Sequence, residues 1–166
     1  MIDAELHTAA TQVLDACRAR GLKIATAESC TGGLVAAALT EIAGSSDVVD
    51  RGFVTYSNAA KMAMLGVLPE TLNANGAVSR QTAEEMAQGA LRQSGADLAV
   101  AITGIAGPGG GSPEKPVGLV HFAAAATDGR LIHREQRFGD IGRSEVRYRS
   151  VLVALTMLRE LTSASG

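Results

Sequence analysis

The sequence has 166 residues, of which 46% are apolar and 19% charged, and its formal net charge is −2. This composition excludes an intrinsically disordered chain and predicts one globular domain over residues 1–166. Aromatic residues make up only 3%, with no tryptophan, and there is no excess of positive charge. We therefore expect neither the stacking platforms nor the basic surface of a nucleic-acid-binding protein.

The same counts limit covalent and metal chemistry and the cellular location. Two cysteines are too few for a disulfide scaffold, and the three histidines lie far apart in the sequence, so no zinc motif and no metal site are expected. No segment has the length and hydropathy of a membrane span. Acidic residues within the first 20 positions are unlike a secretory signal, so we expect a cytoplasmic protein without a membrane partner.

The first half of the chain alternates predicted helices and strands. Residues 3–20 predict an amphipathic helix, capped by Asp3 and ended by Gly21. Residues 22–33, LKIATAESCTGG, predict a strand, a turn of small residues and the start of a helix that runs from about residue 31 to 42. A second strand over residues 48–57 follows, and then helices over 58–65, 69–75 and 79–94.

The second half predicts a buried strand, a loop and a hairpin. Residues 98–103, LAVAIT, form a continuous apolar run typical of a strand covered on both faces. After a Gly/Pro loop, strands over 117–126 and 131–138 are joined by Asp128-Gly129, and a helix over 143–162 closes the chain. This order predicts an α/β fold: a three-layer α/β/α sandwich on a mixed, mostly parallel sheet with one antiparallel strand.

The strand–turn–helix at residues 22–33 is the first candidate site. It places Ser29, Cys30 and Thr31 near a helix N-terminus, where free N–H groups and the helix dipole favour negative charge. A serine nucleophile beside such N–H groups would have oxyanion donors at hand. The alternative is that Ser29 or Thr31 only caps the helix.

A second loop carries Tyr56 and Lys61 in the segment YSNAAK. A serine hydroxyl needs a base, and a lysine whose ammonium is buried can lose its proton and act as one. The Tyr56 phenol could relay a proton. The alternatives are a solvated helix lysine and a tyrosine that packs at the end of a strand.

A third loop, residues 103–118, reads TGIAGPGGGSPEKPVG and matches neither a Walker A loop nor a dinucleotide-binding fingerprint. Its glycines allow close backbone approach to a ligand or anion, although a flexible surface loop is the alternative. Further on, Arg143 and Arg147 lie four residues apart on one predicted helix face and could bind a phosphate. They could instead pair with Asp140 or Glu145.

Four ordered segments together resemble the C-terminal domain family of the competence/damage-inducible protein CinA, in the form of its stand-alone nicotinamide-nucleotide amidases. The segments are AESCTGG (27–33), GFVTYSNAAK (52–61), AVAITGIAGPGGGSPEKPVGLV (99–120) and GRSEVR (142–147). The resemblance implies an α/β/α sandwich and hydrolysis of nicotinamide mononucleotide to nicotinic acid mononucleotide and ammonia. It also implies a homodimer and no cofactor.

The resemblance further implies roles for particular residues. Ser29 would be the nucleophile, Lys61 its general base and Tyr56 a partner in proton transfer. Oxyanion and substrate contacts are expected from Cys30, Thr31, Gly32, Gly33, Thr103, Gly104, Ala106, Gly107, Gly109, Arg143 and Arg147. Cys30 is the second candidate for the nucleophile. Two alternative functions are a nucleotide-binding or regulatory module without turnover and a Ser/Lys amidohydrolase that acts on another amide.

Overall fold

The computed structural model describes residues 2–163, which form six α-helices and five strands. The elements, in chain order, are α1 (Ala4–Arg20), β1 (Ile24–Glu28), α2 (Leu34–Thr40), β2 (Val49–Val54), α3 (Asn58–Leu65), α4 (Pro69–Asn75), α5 (Arg80–Gln93), β3 (Leu98–Gly104), β4 (Leu119–Ala126), β5 (Leu131–Arg137) and α6 (Arg143–Leu161). A short 3₁₀-helix, Ser45–Asp47, precedes β2. Within the described residues, no helix is both long and apolar enough to cross a membrane.

The five strands form one mixed sheet in the order β2-β1-β3-β4-β5. β1 pairs in parallel with β2 and with β3, whereas β4 is antiparallel to both β3 and β5. Four strands therefore run in one direction and β4 alone runs in the other. The predicted fold class, a mixed and mostly parallel sheet with one antiparallel strand, is confirmed.

Helices cover both faces of the sheet and complete the three layers. The core on one face contains buried side chains of α1, α2 and α6, and the core on the other contains those of α3 and α5. On the α5 side the central strands present alanines, which let α5 lie close to the sheet. α3 in turn packs tightly on α5, since a Cβ at Gly89 would lie 2.0 Å from the Leu65 carbonyl oxygen.

Sequence signals at helix ends correspond to the observed boundaries, with one exception. Asp3 caps α1 and Gly21 ends it in the left-handed conformation, while Ser57 and Gly66 do the same for α3. The exception is α2, which begins at Leu34 instead of residue 31. The reason is that residues 29–33 form a separate turn, closed by the hydrogen bond from the Gly32 N–H to the Ser29 carbonyl.

The register of the parallel strands brings three loops to the same edge of the sheet. Glu28, the last residue of β1, lies beside Val54 of β2 and Ile102 of β3. The segments that follow these strands therefore leave the sheet side by side. Ligands of open α/β sheets bind at this carboxyl edge.

Candidate active site

The three loops enclose a cavity of about 270 Å³. Its walls are Ser29, Cys30, Tyr56, Asn58, Lys61, Ala77, Val78, Thr103, Gly104, Ile105, Ala106, Gly107, Gly109, Gly110 and Arg143. Ten of the expected site residues are in this wall, whereas Thr31, Gly32, Gly33 and Arg147 are not. The convergence of the three loops, expected from the strand order, is present.

Several wall residues carry no sequence signal that would have identified them. Ala77 and Val78 belong to the segment before α5, and the Thr103 hydroxyl donates to the Ala77 carbonyl at 2.8 Å, which ties this segment to the end of β3. Asn58 and Ile105 were also missed, although both lie inside quoted segments, YSNAAK and the loop of residues 103–118. No pattern in the sequence shows that residues 77–78 reach the site, because the contact is between distant segments.

The central contact of the site is between Lys61 and Ser29. Lys61 lies one turn into α3, whose start is fixed by the Ser57 side chain accepting from the Ala60 N–H at 3.0 Å. The Lys61 side chain points inward, and the residue is 1% exposed. Its Nζ lies 2.9 Å from the Ser29 Oγ. The solvated helix lysine, the alternative at the sequence level, is therefore wrong.

The remaining partners of Lys61 are two backbone carbonyls, which suit either an ammonium or a neutral amine. Nζ donates to the backbone carbonyls of Thr55 at 2.9 Å and Tyr56 at 3.3 Å. A neutral amine has two N–H groups for these carbonyls and one lone pair for the Ser29 hydroxyl. Burial lowers the pKa of Lys61, because desolvation penalises the ammonium form. Burial thus favours the neutral form of the Lys61 amine, next to the Ser29 hydroxyl.

Cys30, the second candidate for the nucleophile, is in a less favourable environment. The residue is 6% exposed. Burial raises the pKa of its thiol to about 12. Since the thiolate is the reactive form of cysteine, the Cys30 side chain is a poor nucleophile here.

The turn at residues 29–33 is fixed by Glu28, a residue that sequence reasoning did not single out. Glu28 is 1% exposed, and its carboxylate accepts from the N–H groups of Gly33 at 3.2 Å, Val35 at 2.9 Å and Ala36 at 3.0 Å. The cap of α2 is therefore this carboxylate, since Gly33 occupies the N-cap position without a side-chain hydrogen bond. The expectation that Ser29 or Thr31 caps the helix is wrong.

The same contacts decide which N–H groups remain for an oxyanion. Gly33 donates to Glu28 and Gly32 donates to the Ser29 carbonyl, so neither is available. Within residues 2–163 the Cys30 N–H makes no hydrogen bond, and Cys30 lies in the cavity wall beside Ser29. The N–H groups of Gly32 and Gly33 are therefore engaged, whereas the Cys30 N–H is free at the cavity wall.

Tyr56 and Arg143 lie together at the cavity mouth. The Tyr56 residue is 60% exposed, and its hydroxyl accepts from the Arg143 guanidinium at 2.9 Å. The guanidinium also donates to the Gly107 carbonyl at 2.9 Å. Within the described part of the chain, no hydrogen bond joins the Tyr56 hydroxyl to Ser29 or Lys61. The proton-transfer role expected for Tyr56 therefore has no direct contact to support it.

Arg147 lies away from the cavity. Its guanidinium donates to the backbone carbonyls of Cys30 at 3.1 Å and Thr31 at 3.3 Å, on the carbonyl side of the turn. Neither arginine pairs with Asp140 or Glu145, and Glu145 instead pairs with Arg149 at 2.9 Å. Of the two arginines, Arg143 lines the cavity and Arg147 does not. Among residues 2–163, no three histidine, cysteine or carboxylate side chains are arranged to bind a metal ion.

The fold and this geometry define a class of protein: an α/β/α sandwich in which a buried lysine holds a serine hydroxyl at the carboxyl edge of the parallel strands. The chain belongs to the CinA C-terminal domain family, whose family model matches residues 6–162.

Individual relatives show the same relationship. The chain is 52% identical to the nicotinamide-nucleotide amidohydrolase PncC of Enterobacter agglomerans over 96% of this chain and 98% of that protein. It is 54% identical to the protein of the same name from Escherichia coli (strain K12), over 95% of each. A crystal structure of the competence/damage inducible protein CihA from Agrobacterium tumefaciens superposes with a TM-score of 0.97 at 59% identity, covering 98% of this chain and 99% of that one.

Proposed function

We propose that this chain hydrolyses the carboxamide of nicotinamide mononucleotide to nicotinic acid mononucleotide and ammonia, as a step of pyridine nucleotide salvage. The observation that carries the proposal is the 2.9 Å contact between the Ser29 Oγ and the buried Lys61 Nζ, within a cavity of about 270 Å³. The substrate is proposed from the relatives named nicotinamide-nucleotide amidohydrolase, which match this chain over nearly their full length.

In the first half of the reaction Ser29 attacks the carbon of the substrate amide. The neutral Lys61 amine takes the proton of the hydroxyl as the Oγ–carbon bond forms. Negative charge then develops on the amide oxygen, where the free Cys30 N–H can donate. The Lys61 ammonium gives its proton to the amide nitrogen, and ammonia leaves while a nicotinoyl ester remains on Ser29.

In the second half water cleaves this ester. Lys61, neutral again, removes a proton from the water as the water attacks the ester carbon. The proton then returns to the Ser29 oxygen, which leaves as a hydroxyl and frees the carboxylate product. The two carbonyls that accept from Lys61 keep its nitrogen in place through both halves. Proton transfer through Tyr56 is implied by the family resemblance alone, and the mechanism above does not use it.

The phosphate of the nucleotide is proposed to bind Arg143 and the glycine-rich loop. Arg143 is exposed at the cavity mouth, and its guanidinium can use the donors that do not bond to Tyr56 or Gly107. Within residues 2–163 the loop N–H groups at positions 106, 107, 109 and 110 make no hydrogen bond, so they are open to an anion. Thr103 and Gly104 line the cavity between this loop and Ser29.

The test is to incubate the purified protein with nicotinamide mononucleotide and measure ammonia together with the pyridine product. We expect both in equal amounts. Thermal stabilisation by the nucleotide without ammonia release would favour the binding module instead. Turnover restricted to other amides in a substrate panel would favour an amidohydrolase of different specificity.

The homodimer implied by the family resemblance also remains a proposal, as does the single domain over residues 1–166. Light scattering coupled to size exclusion measures the mass in solution directly. A mass of one chain at micromolar concentration would contradict the dimer.

A further inference from the structure

We infer that Arg147 is a positioning residue, which fixes the backbone turn that carries the nucleophile and its oxyanion donor. Arg147 was expected to bind substrate phosphate. Its guanidinium instead donates to the carbonyls of Cys30 and Thr31 and does not line the active-site cavity. The inference rests on the proposed function, in which Ser29 is the nucleophile.

The first step of the argument is the position of Arg147 relative to the turn. Arg147 is half-buried and borders a different cavity, of about 320 Å³, between α1, α2 and α6. Ser29 and Cys30 line the active-site cavity, so the turn has this cavity on one side and the guanidinium on its carbonyl side. A Cβ at Gly32 would lie 3.4 Å from the guanidinium, which shows how closely Arg147 approaches the turn.

The second step concerns the two peptide units that flank Cys30. In a trans peptide the C=O and the N–H point in opposite directions and rotate together. The unit before Cys30 is held by the Gly32 N–H, which donates to the Ser29 carbonyl at 3.0 Å. The unit after Cys30 is held by Arg147. The Cys30 backbone is therefore defined from both sides, and its N–H stays free at the cavity wall.

The third step is that, in the described part of the chain, no other group donates a hydrogen bond to the Cys30 carbonyl. Within residues 2–163 the Cys30 carbonyl accepts only from Arg147. Removing the guanidinium leaves the carbonyl of the buried Cys30 without a hydrogen-bond partner. This costs free energy, and rotation of the peptide unit toward another partner would recover part of it. Rotation of that peptide unit carries the Thr31 N–H with it and changes the ψ angle of Cys30, so the short turn that also holds the Cys30 N–H and Ser29 changes shape. Displacements of about 1 Å at such a site cost on the order of 100-fold in rate.

The test uses a fluorophosphonate, a probe whose reaction needs the nucleophile and oxyanion site but no knowledge of the substrate. The Ser29 Oγ attacks phosphorus, the P–F bond breaks, fluoride leaves and the hydroxyl proton passes to Lys61. Intact mass and peptide mapping follow the adduct on wild type, Arg147→Met and Arg149→Met. The last is the matched control, because Arg149 is an exposed arginine of the same helix that pairs with Glu145.

We expect Arg147→Met to be phosphonylated about 10- to 100-fold more slowly than wild type. Arg149→Met should react at the wild-type rate. All rates are taken well below the unfolding temperature of each variant, so lost stability does not enter the rate. If Arg147→Met does not fold, Arg147→Lys takes its place under the same criterion, since lysine keeps the charge but lacks the planar guanidinium whose two nitrogens donate to the Cys30 and Thr31 carbonyls.

Three results would overturn the inference. One is a rate for the folded Arg147 variant within twofold of wild type. Another is a loss of turnover that is confined to nicotinamide mononucleotide, because this would make Arg147 a phosphate ligand. A positioning role instead lowers kcat by the same factor for the nucleotide and for its riboside, which lacks the phosphate. A wild type that is not labelled at Ser29 would overturn the serine chemistry of the proposed function, and this inference with it.

Discussion

Replacing Glu28 by glutamine tests whether a single buried carboxylate holds α2 and the nucleophile turn. One oxygen of Glu28 accepts from Gly33 and Val35, and the other accepts from Ala36. The glutamine oxygen can keep the first pair, but its NH₂ group then faces the Ala36 N–H, and two donors cannot bond. The variant Glu28→Gln therefore keeps the shape of the side chain and removes one acceptor and the charge.

The size of the effect follows from these bonds. The Ala36 N–H loses its partner, and the bonds from Gly33 and Val35 then go to a neutral oxygen instead of a carboxylate. Together these changes cost roughly 3–5 kcal/mol. The neutral amide is easier to bury than a carboxylate, so the expected net loss in the free energy of unfolding is roughly 2–4 kcal/mol. For a domain of this size that lowers Tm by roughly 5–15 °C.

Urea and thermal unfolding of Glu28→Gln measure this loss against a matched control. Glu70→Gln is suitable because Glu70 is an exposed acidic residue in the first turn of α4. We expect the control to change stability by no more than about 0.5 kcal/mol. A Glu28→Gln variant as stable as that control would refute the view that this carboxylate holds the turn.

Three further predictions concern the site itself. Burial lowers the pKa of Lys61, and the neutral amine is the proposed base, so kcat/KM should rise with pH below about 10.4, where an exposed lysine titrates. A pH–rate profile without a rise below that value would contradict this prediction. Lys61→Met should be inactive at every pH. Arg143→Met should raise KM for nicotinamide mononucleotide about tenfold, the value of one charged hydrogen bond, and leave KM for the riboside unchanged; equal effects on both substrates would exclude phosphate binding by Arg143. Tyr56→Phe should change kcat by about twofold or less, as for an ordinary surface substitution, because its hydroxyl contacts Arg143; a large fall in kcat would instead support the proton-transfer role.

Local signals in the sequence predicted most of the fold. Asp3 with Gly21 and Ser57 with Gly66 mark helix ends because a capping side chain and a left-handed glycine act within a few residues. Strand–helix alternation indicated the mostly parallel part of the sheet, and Asp128-Gly129 indicated the hairpin near the end of the chain. The start of α2 was predicted three residues early, because its cap is a carboxylate five to eight residues away in sequence instead of a neighbouring hydroxyl.

The site was predictable where its chemistry lies in short motifs. Ser29 and Lys61 were paired from the need of a hydroxyl for a base, and their contact follows from the strand order. The spacing of Arg143 and Arg147 indicated that they share a helix face. It did not indicate that Arg143 lies at the cavity mouth while Arg147, one helical turn later, lies on the carbonyl side of the turn that carries Ser29. Only the packing of α6 against that turn decides which arginine faces the ligand.

The central claim is that Ser29 performs the attack, and the most direct measurement compares wild type, Ser29→Ala and Cys30→Ala with nicotinamide mononucleotide. Ammonia release is measured at steady state, and intact mass after rapid acid quench detects the nicotinoyl adduct. We predict release and adduct in wild type and Cys30→Ala, and neither in Ser29→Ala, which should still bind the nucleotide. Activity that survives in Ser29→Ala but is lost in Cys30→Ala would contradict the account and place the nucleophile one residue later.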